Sequence, residues 1–220
     1  MDGGVKLIRI GAEAYLYLID FFGIKAILKK RIPKDYRHPE FDIKLRRRRT
    51  INEARMLYYS RKAGVPTPLV LDVDVDETYL IIEYIDGIVL RDLINQGVNS
   101  KLLENIFVHV GELIGRLHSS GIVHGDLTTS NMILQNNNTL YFIDFGLAEK
   151  SSELEDQGVD LHLMLRSLES THPEIAYKAF NCVLKGYAKV MGKEHTLKVK
   201  NKVKEIRMRG RYVEERRKRT

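Results

Sequence analysis

The chain has 220 residues, 44% hydrophobic and 30% charged, with a formal net charge of +7. That balance suits one large globular domain or two small lobes and excludes a collagen-like or mainly disordered chain. The longest apolar stretch, Ala14–Phe22, is cut by Asp20 and falls far short of the ~20 residues that cross a bilayer, so no membrane association is expected. A single cysteine, Cys182, allows no intrachain disulfide, and Met1–Arg9 does not open a secretory signal; both fit a cytoplasmic protein.

The first residues predict an antiparallel meander. Val5–Ile10 and Tyr15–Phe21 are rich in Val, Ile, Leu and Tyr and are broken by Gly11. Gly23 turns the chain into a third strand, Ile24–Leu28. Residues 31–49 are basic and irregular, with Pro33 and Pro39. A helix is expected over Thr50–Ala63, stopped by Gly64 and Pro66. Leu69–Val73 and Tyr79–Tyr84 read as a hairpin, and Asp86-Gly87 as a hinge. Leu102, Leu103, Ile106, Val110, Leu113, Ile114 and Leu117 then recur at helical spacing. Two short strands, Met132–Leu134 and Leu140–Ile143, follow. A loop over 147–157 leads to helices at Val159–Leu168, Glu174–Val190 and Thr196–Met208. Gly210 is read as the end of the last helix, releasing a charged tail that orders on a partner.

Charge is unevenly placed. Residues 25–49 and 196–220 each hold 11 Lys/Arg against 3 Asp/Glu, so two basic segments ride on an acidic body. Clustered cations attract polyanions, nucleic acid foremost, by releasing counterions. A solvated face or an acidic partner protein would use the same composition.

The chemistry concentrates in His124-Gly125-Asp126-Leu127-Thr128-Thr129-Ser130-Asn131 and Ile143-Asp144-Phe145-Gly146. An aspartate, four residues, an asparagine, and Asp-Phe-Gly thirteen residues later resemble the catalytic segment of protein kinases. Phosphoryl transfer needs metal ions on the phosphate oxygens and an oriented nucleophile. Asn131 and Asp144 offer hard oxygen ligands suited to Mg²⁺, with Mn²⁺ as an alternative. Asp126 can orient a hydroxyl or a water, or accept its proton. Turn formation alone would use the same Asp, Gly and Asn residues, but not in two motifs at this spacing.

Lys29, at the end of the third strand, and Glu53, in the first helix, match the lysine–glutamate pair that grips the α/β-phosphates. Lys30 competes for the role but points to the opposite face of the strand. Ala26-Ile27-Leu28-Lys29 is the closer match to the kinase strand pattern. Thr50-Ile51-Asn52-Glu53 also fits a capping box, a purely structural use of Glu53. Gly11 and Ala12 occupy the position of a phosphate-covering loop, with one glycine in place of three. Asp160 suits an acid that accepts backbone hydrogen bonds from the catalytic loop; the other use is an acid favoured by a helix N-terminus.

The chain departs from ordinary protein kinases: Gly125 replaces the arginine of His-Arg-Asp, Ala-Pro-Glu is missing, and only 76 residues follow Asp144. It resembles instead the small atypical kinase family of the KEOPS complex, related to the RIO kinases. The likeness is carried by Gly11–Ala14, Arg31–Pro39, Arg48–Thr50, Glu53–Arg55, His124–Asn131, Asp156–Leu161, Ser170–Pro173 and Arg207–Arg211. The lack of an extension points to the archaeal form.

This resemblance implies an α+β, minimal two-lobed protein-kinase-like fold: an antiparallel-sheet N-lobe over 1–85, a reduced helical C-lobe over 86–209, and a basic tail over 210–220. It implies an ATP-dependent kinase and ATPase that autophosphorylates on Ser/Thr and supports threonylcarbamoylation of adenosine 37 in ANN-decoding tRNA. Expected partners are the threonylcarbamoyl-transferase subunit, a small regulatory subunit on the N-lobe, and tRNA through the basic tail. Nucleotide contacts are expected at Gly11, Ala12, Lys29, the hinge residues Glu83, Tyr84 and Ile85, Asn131 and Asp144, with Asn131 and Asp144 also holding metal. The competing readings are a small-molecule kinase of the aminoglycoside or choline type and a nucleotide-binding scaffold without turnover.

Overall fold

The structure, a computed structural model, describes residues 5–136 and 138–217, and for 210–217 the backbone alone. The N-terminal part is one antiparallel sheet. Its strands are β1 (Lys6–Ile10), β2 (Ala14–Phe21), β3 (Ile24–Arg31), β4 (Val70–Asp74) and β5 (Tyr79–Glu83), in spatial order β1-β2-β3-β5-β4. β3 is central, pairing Lys29 with Leu16 on one side and Leu80 on the other. Because side chains alternate along a strand, Lys29 and Arg31 share one face while Lys30 takes the other. Lys29 and Arg31 are buried, whereas Lys30 reaches Glu77 at 2.8 Å on the outer face.

The first helix, α1, spans Pro39–Lys62 and therefore begins well before Thr50. Pro39 marks its start, not a break. A proline in the first helical turn gives up an N–H that has no intrahelical partner, and its fixed φ suits the helix. Glu40 and Asp42 in the first turn and Arg61 and Lys62 in the last complement the helix dipole. Thr50 sits mid-helix with its hydroxyl donating to the Arg46 carbonyl at 2.9 Å, so Thr50–Glu53 is no capping box.

The basic run Arg46–Arg49 thereby becomes a helical surface rather than an open loop, and much of its charge is matched. Arg46 pairs with Asp42 at 2.7 Å, Arg47 with Asp76 at 2.8 Å and Arg49 with Glu13 at 2.8 Å.

Beyond the hinge, β6 (Gly87–Val89), β8 (Met132–Gln135) and β9 (Leu140–Phe142) form a small sheet in the order β6-β8-β9, and β7 (Ile122–Val123) pairs with β10 (Glu149–Lys150). The helices are α2 (Leu90–Asn95), α3 (Ser100–Ser119), α4 (Leu154–Thr171), α5 (Ala176–Met191) and α6 (Lys193–Arg217). The apolar face of α3 buries Ile106, Val110, Leu113 and Leu117 in one core with Phe180, Val183 and Tyr187 of α5.

Two boundaries in the helical part also differ from expectation. α4 starts at Leu154, inside the expected loop, because Glu155 and Asp156 favour a first helical turn. α6 runs through Gly210 to Arg217. A glycine costs only ~1 kcal/mol relative to alanine inside a helix, which does not stop one flanked by good helix formers such as Arg209 and Arg211. Residues 218–220 of the expected tail lie outside the described residues. Among the described residues no helix is long and apolar enough to cross a membrane.

Candidate active site

Four separated segments converge on a cleft of about 300 Å³ between the sheet and the helical part. Its lining includes Gly11, Ala12, Lys29, Asp126, Asn131, Asp144 and Gly146. Lys29 Nζ lies 2.6 Å from Glu53 Oε1 and 2.7 Å from Asp144 Oδ1. One ammonium therefore ties the central strand to α1 and to the Asp-Phe-Gly segment. Arg31, one strand period along, meets the other Glu53 oxygen at 2.5 Å. Two cations and two carboxylates balance, which is the condition for burying so much charge.

Burial pushes the Lys29 ammonium down, but Glu53 and Asp144 outweigh it and hold its pKa above the ordinary value. Burial pushes the Asp144 carboxyl up, and Lys29, with the Gly146 amide, brings it below the usual carboxylate range. Both groups stay charged at neutral pH.

Asp126 and Asn131 sit on the loop between β7 and β8. Asn131 Nδ2 donates to the Asp126 carbonyl at 3.0 Å and to Asp126 Oδ2 at 2.8 Å. These bonds fix the Asp126 rotamer and leave Asn131 Oδ1 as an acceptor at the cleft. With the Asp144 carboxylate, half exposed on the same cleft, the donor set is two hard oxygens, a good fit to a small divalent cation that takes its other ligands from phosphate and water.

The loop is anchored from below. Asp160 is buried in the second turn of α4, beyond the reach of the helix N-terminus. It accepts the His124 amide at 2.7 Å and the Gly125 amide at 2.8 Å. His118 of α3 contacts Asp160 at 3.1 Å through Nε2 and the Tyr187 hydroxyl at 2.9 Å through Nδ1. Three helices thus hold the backbone just before Asp126. Burial pushes the Asp160 carboxyl up, but the His118 and His124 bonds leave it below its ordinary value. His124, fully buried against Phe145 with ring centroids 4.5 Å apart, joins the loop to Asp-Phe-Gly; burial lowers its pKa and keeps it neutral.

The nucleotide-side residues divide. Gly11 makes a tight turn, its amide donating to the Ala14 carbonyl at 2.9 Å. Glu83, Tyr84 and Ile85 are not among the residues lining this cleft. Glu83 turns its carboxylate to the Leu69 amide at 3.0 Å, and Ile85 is buried.

Sequence reasoning missed Arg9, Arg31 and Arg49, which also line the cleft. The alternation along β3 carried a signal for Arg31, two residues after Lys29. Arg49 carries a signal only within the resembling segment Arg48–Thr50, because spacing alone reads 31–49 as irregular.

The protein kinase domain family matches residues 20–208. The chain is 47% identical to KEOPS complex subunit Bud32 of Pyrococcus abyssi (strain GE5 / Orsay), over 96% of this chain and 97% of that protein. It is 39% identical to EKC/KEOPS complex subunit Tp53rkb of Mus musculus, over 94% of this chain and 87% of that one. It is also 43% identical to a probable bifunctional tRNA threonylcarbamoyladenosine biosynthesis protein of Methanothermobacter thermautotrophicus, matching 97% of this chain but only 38% of that longer protein.

Proposed function

The chain belongs to the protein kinase family, in its Bud32 branch, and from that premise we propose that it acts as an atypical kinase and ATPase within a KEOPS complex, supporting threonylcarbamoylation of adenosine 37 in ANN-decoding tRNA. The observation that carries this reading is the junction at Lys29. One ammonium contacts Glu53 and Asp144 within 2.7 Å, on a cleft also lined by Asp126 and Asn131. That is the arrangement phosphoryl transfer asks of a protein: positioning and fixed charge, with little covalent work.

In this reading Lys29, held by Glu53, orients the α/β-phosphates of ATP. Asp144 and Asn131 would hold a divalent cation, Mg²⁺ or Mn²⁺, which when bound would supply charge neutralisation for phosphoryl transfer. Asp126, fixed by Asn131, orients the acceptor and receives its proton. A Ser/Thr hydroxyl of the chain itself and a water both fit that role, giving autophosphorylation and ATP hydrolysis. Gly11 and Ala12 cover the phosphates, and the hinge at Glu83–Ile85, outside the lining of this cleft, is the contact proposed for the base. We divide the chain into an N-lobe to about residue 85, a C-lobe to 209 and a basic end at 210–220.

The names of the relatives support the complex: two are KEOPS subunits and one is a tRNA threonylcarbamoyladenosine biosynthesis protein. The partners proposed are the transferase subunit, a small regulatory subunit on the N-lobe, and tRNA at the basic C-terminal end, in the cytoplasm. The test is phosphate release from ATP by the full chain alone, with the transferase subunit, and with transferase plus tRNA. Stimulation by the partner and tRNA supports the reading; rates independent of both contradict it.

A further inference from the structure

The cleft carries more positive charge than the kinase motif requires. Besides Lys29, it is lined by Arg9, Arg31 and Arg49. Arg31 is committed to Glu53. Arg49 Nη1 instead meets Glu13 Oε2 at 2.8 Å, and Arg37 holds the other oxygen at 3.0 Å. Glu13 stands in the loop between β1 and β2, beside Gly11 and Ala12. Two guanidinium groups around one carboxylate on the lining of the cleft form a cradle that fits a phosphate as well as a carboxylate. The Arg37 hydrogen bond, opposed by partial burial and helped by Arg49, lowers the Glu13 pKa and keeps it ionised.

The two arginines are not equivalent. Arg37 has a second carboxylate, Asp42, at 3.5 Å, and Asp42 is tied to Arg46 at 2.7 Å. If Glu13 withdraws, Arg37 keeps a partner. Arg49 has no second carboxylate within ion-pair distance among the described residues. It is also the arginine of this pair that lines the cleft.

Resting on the phosphoryl-transfer reading above, we propose that Arg49 is a terminal-phosphate contact, and that Glu13 and the γ-phosphate compete for it. Nucleotide binding then swaps a carboxylate for phosphate oxygens on Arg49. The loop carrying Gly11 and Ala12 is freed from α1 as this happens. The exchange favours ATP over ADP, because ADP has no γ-phosphate to take the place of Glu13 on Arg49.

The test is calorimetric titration of the full chain, in Mg²⁺, with ADP and with a non-hydrolysable β,γ-imido analogue of ATP. Arg49→Ala is expected to weaken the analogue on the order of 10- to 100-fold, the loss of a charge-assisted contact, and to leave ADP nearly unchanged. Glu13→Gln is expected to tighten the analogue relative to ADP. Arg49→Lys, which keeps the charge and loses the planar fork, should fall between, and it carries the test if the alanine variant has a lowered thermal midpoint. Equal loss of both nucleotides, no loss of either, or a weaker analogue in Glu13→Gln overturns the inference while the wild-type chain still binds both. A wild-type chain that binds neither overturns the phosphoryl-transfer reading and this inference with it.

Discussion

Asp144 and Gly125 show how individual residues set the site. Asp144 adopts φ +61°, a left-handed conformation that aspartate tolerates better than most side chains. That turn sends its carboxylate to Lys29 while Phe145 drops into the core. Gly125 stands at φ +77°, and a Cβ there would lie 2.5 Å from the Leu147 carbonyl oxygen. The catalytic loop and the Asp-Phe-Gly segment approach too closely for any side chain. An arginine at this position, as in ordinary kinases, would not fit against Leu147 here. Gly125→Ala must adopt a strained φ and push the two loops apart. It should lower the thermal midpoint by at least about 2–4 °C, the shift expected per kcal/mol at this size. Differential scanning of the two chains checks this, and an unchanged midpoint contradicts the packing described.

At the scale of elements, α3 and α5 cross with glycine facing backbone. A Cβ on Gly186 would overlap the Val108 carbonyl, and one on Gly111 would overlap the Val183 carbonyl. The close approach brings His118 and Tyr187 together beneath Asp160, so the crossing supports the catalytic loop. Gly186→Ala should lower the thermal midpoint more than Gly125→Ala, because two helices must separate to admit it. A smaller effect would contradict that packing.

β1–β5, β8, β9 and α3 are legible because period-2 and three-to-four-residue apolar spacing are local signals; β6, β7 and β10, at two or three residues each, are too short to carry one. Lys29, Glu53, Asp126, Asn131 and Asp144 were legible as residue types because phosphoryl transfer restricts the chemistry at each position. The start of α1 was not, since Pro39 carries opposite meanings at a helix start and inside a helix. The end of α6 is not legible either, because a glycine such as Gly210 marks a helix stop in one context and is tolerated inside a helix in another. Arg31 and Arg49 were hidden for another reason: their roles depend on a strand, a helix and a hairpin loop meeting in space.

The whole molecule should be sensitive to acid in two stages. His124, His162, His172 and His195 are all lowered, chiefly by burial. A histidine with a depressed folded pKa binds its proton more readily when unfolded. Stability is then full above the unfolded value of about 6.5 and falls as pH drops toward the folded values. Asp144 and Asp160, opposed by burial but lowered by their partners, contribute above the unfolded carboxylate pKa; that contribution is lost at lower pH, as the folded carboxylates protonate. The thermal midpoint should therefore decline between pH 7.5 and 5.5 and decline again below about pH 4. A midpoint that rises between pH 7.5 and 5.5 would contradict this assignment.

Phosphate transfer at the cleft underlies every role proposed for its residues. The most direct measurement is metal-dependent ATP turnover by the wild-type chain and Asp126→Ala, with nucleotide affinity measured on the same samples. In the proposed mechanism Asp126 orients the acceptor, so its loss should cut turnover by ~10²–10⁴-fold, the range for an acid/base group, with little change in affinity. Asp126→Ala turning over ATP at the wild-type rate would contradict the account.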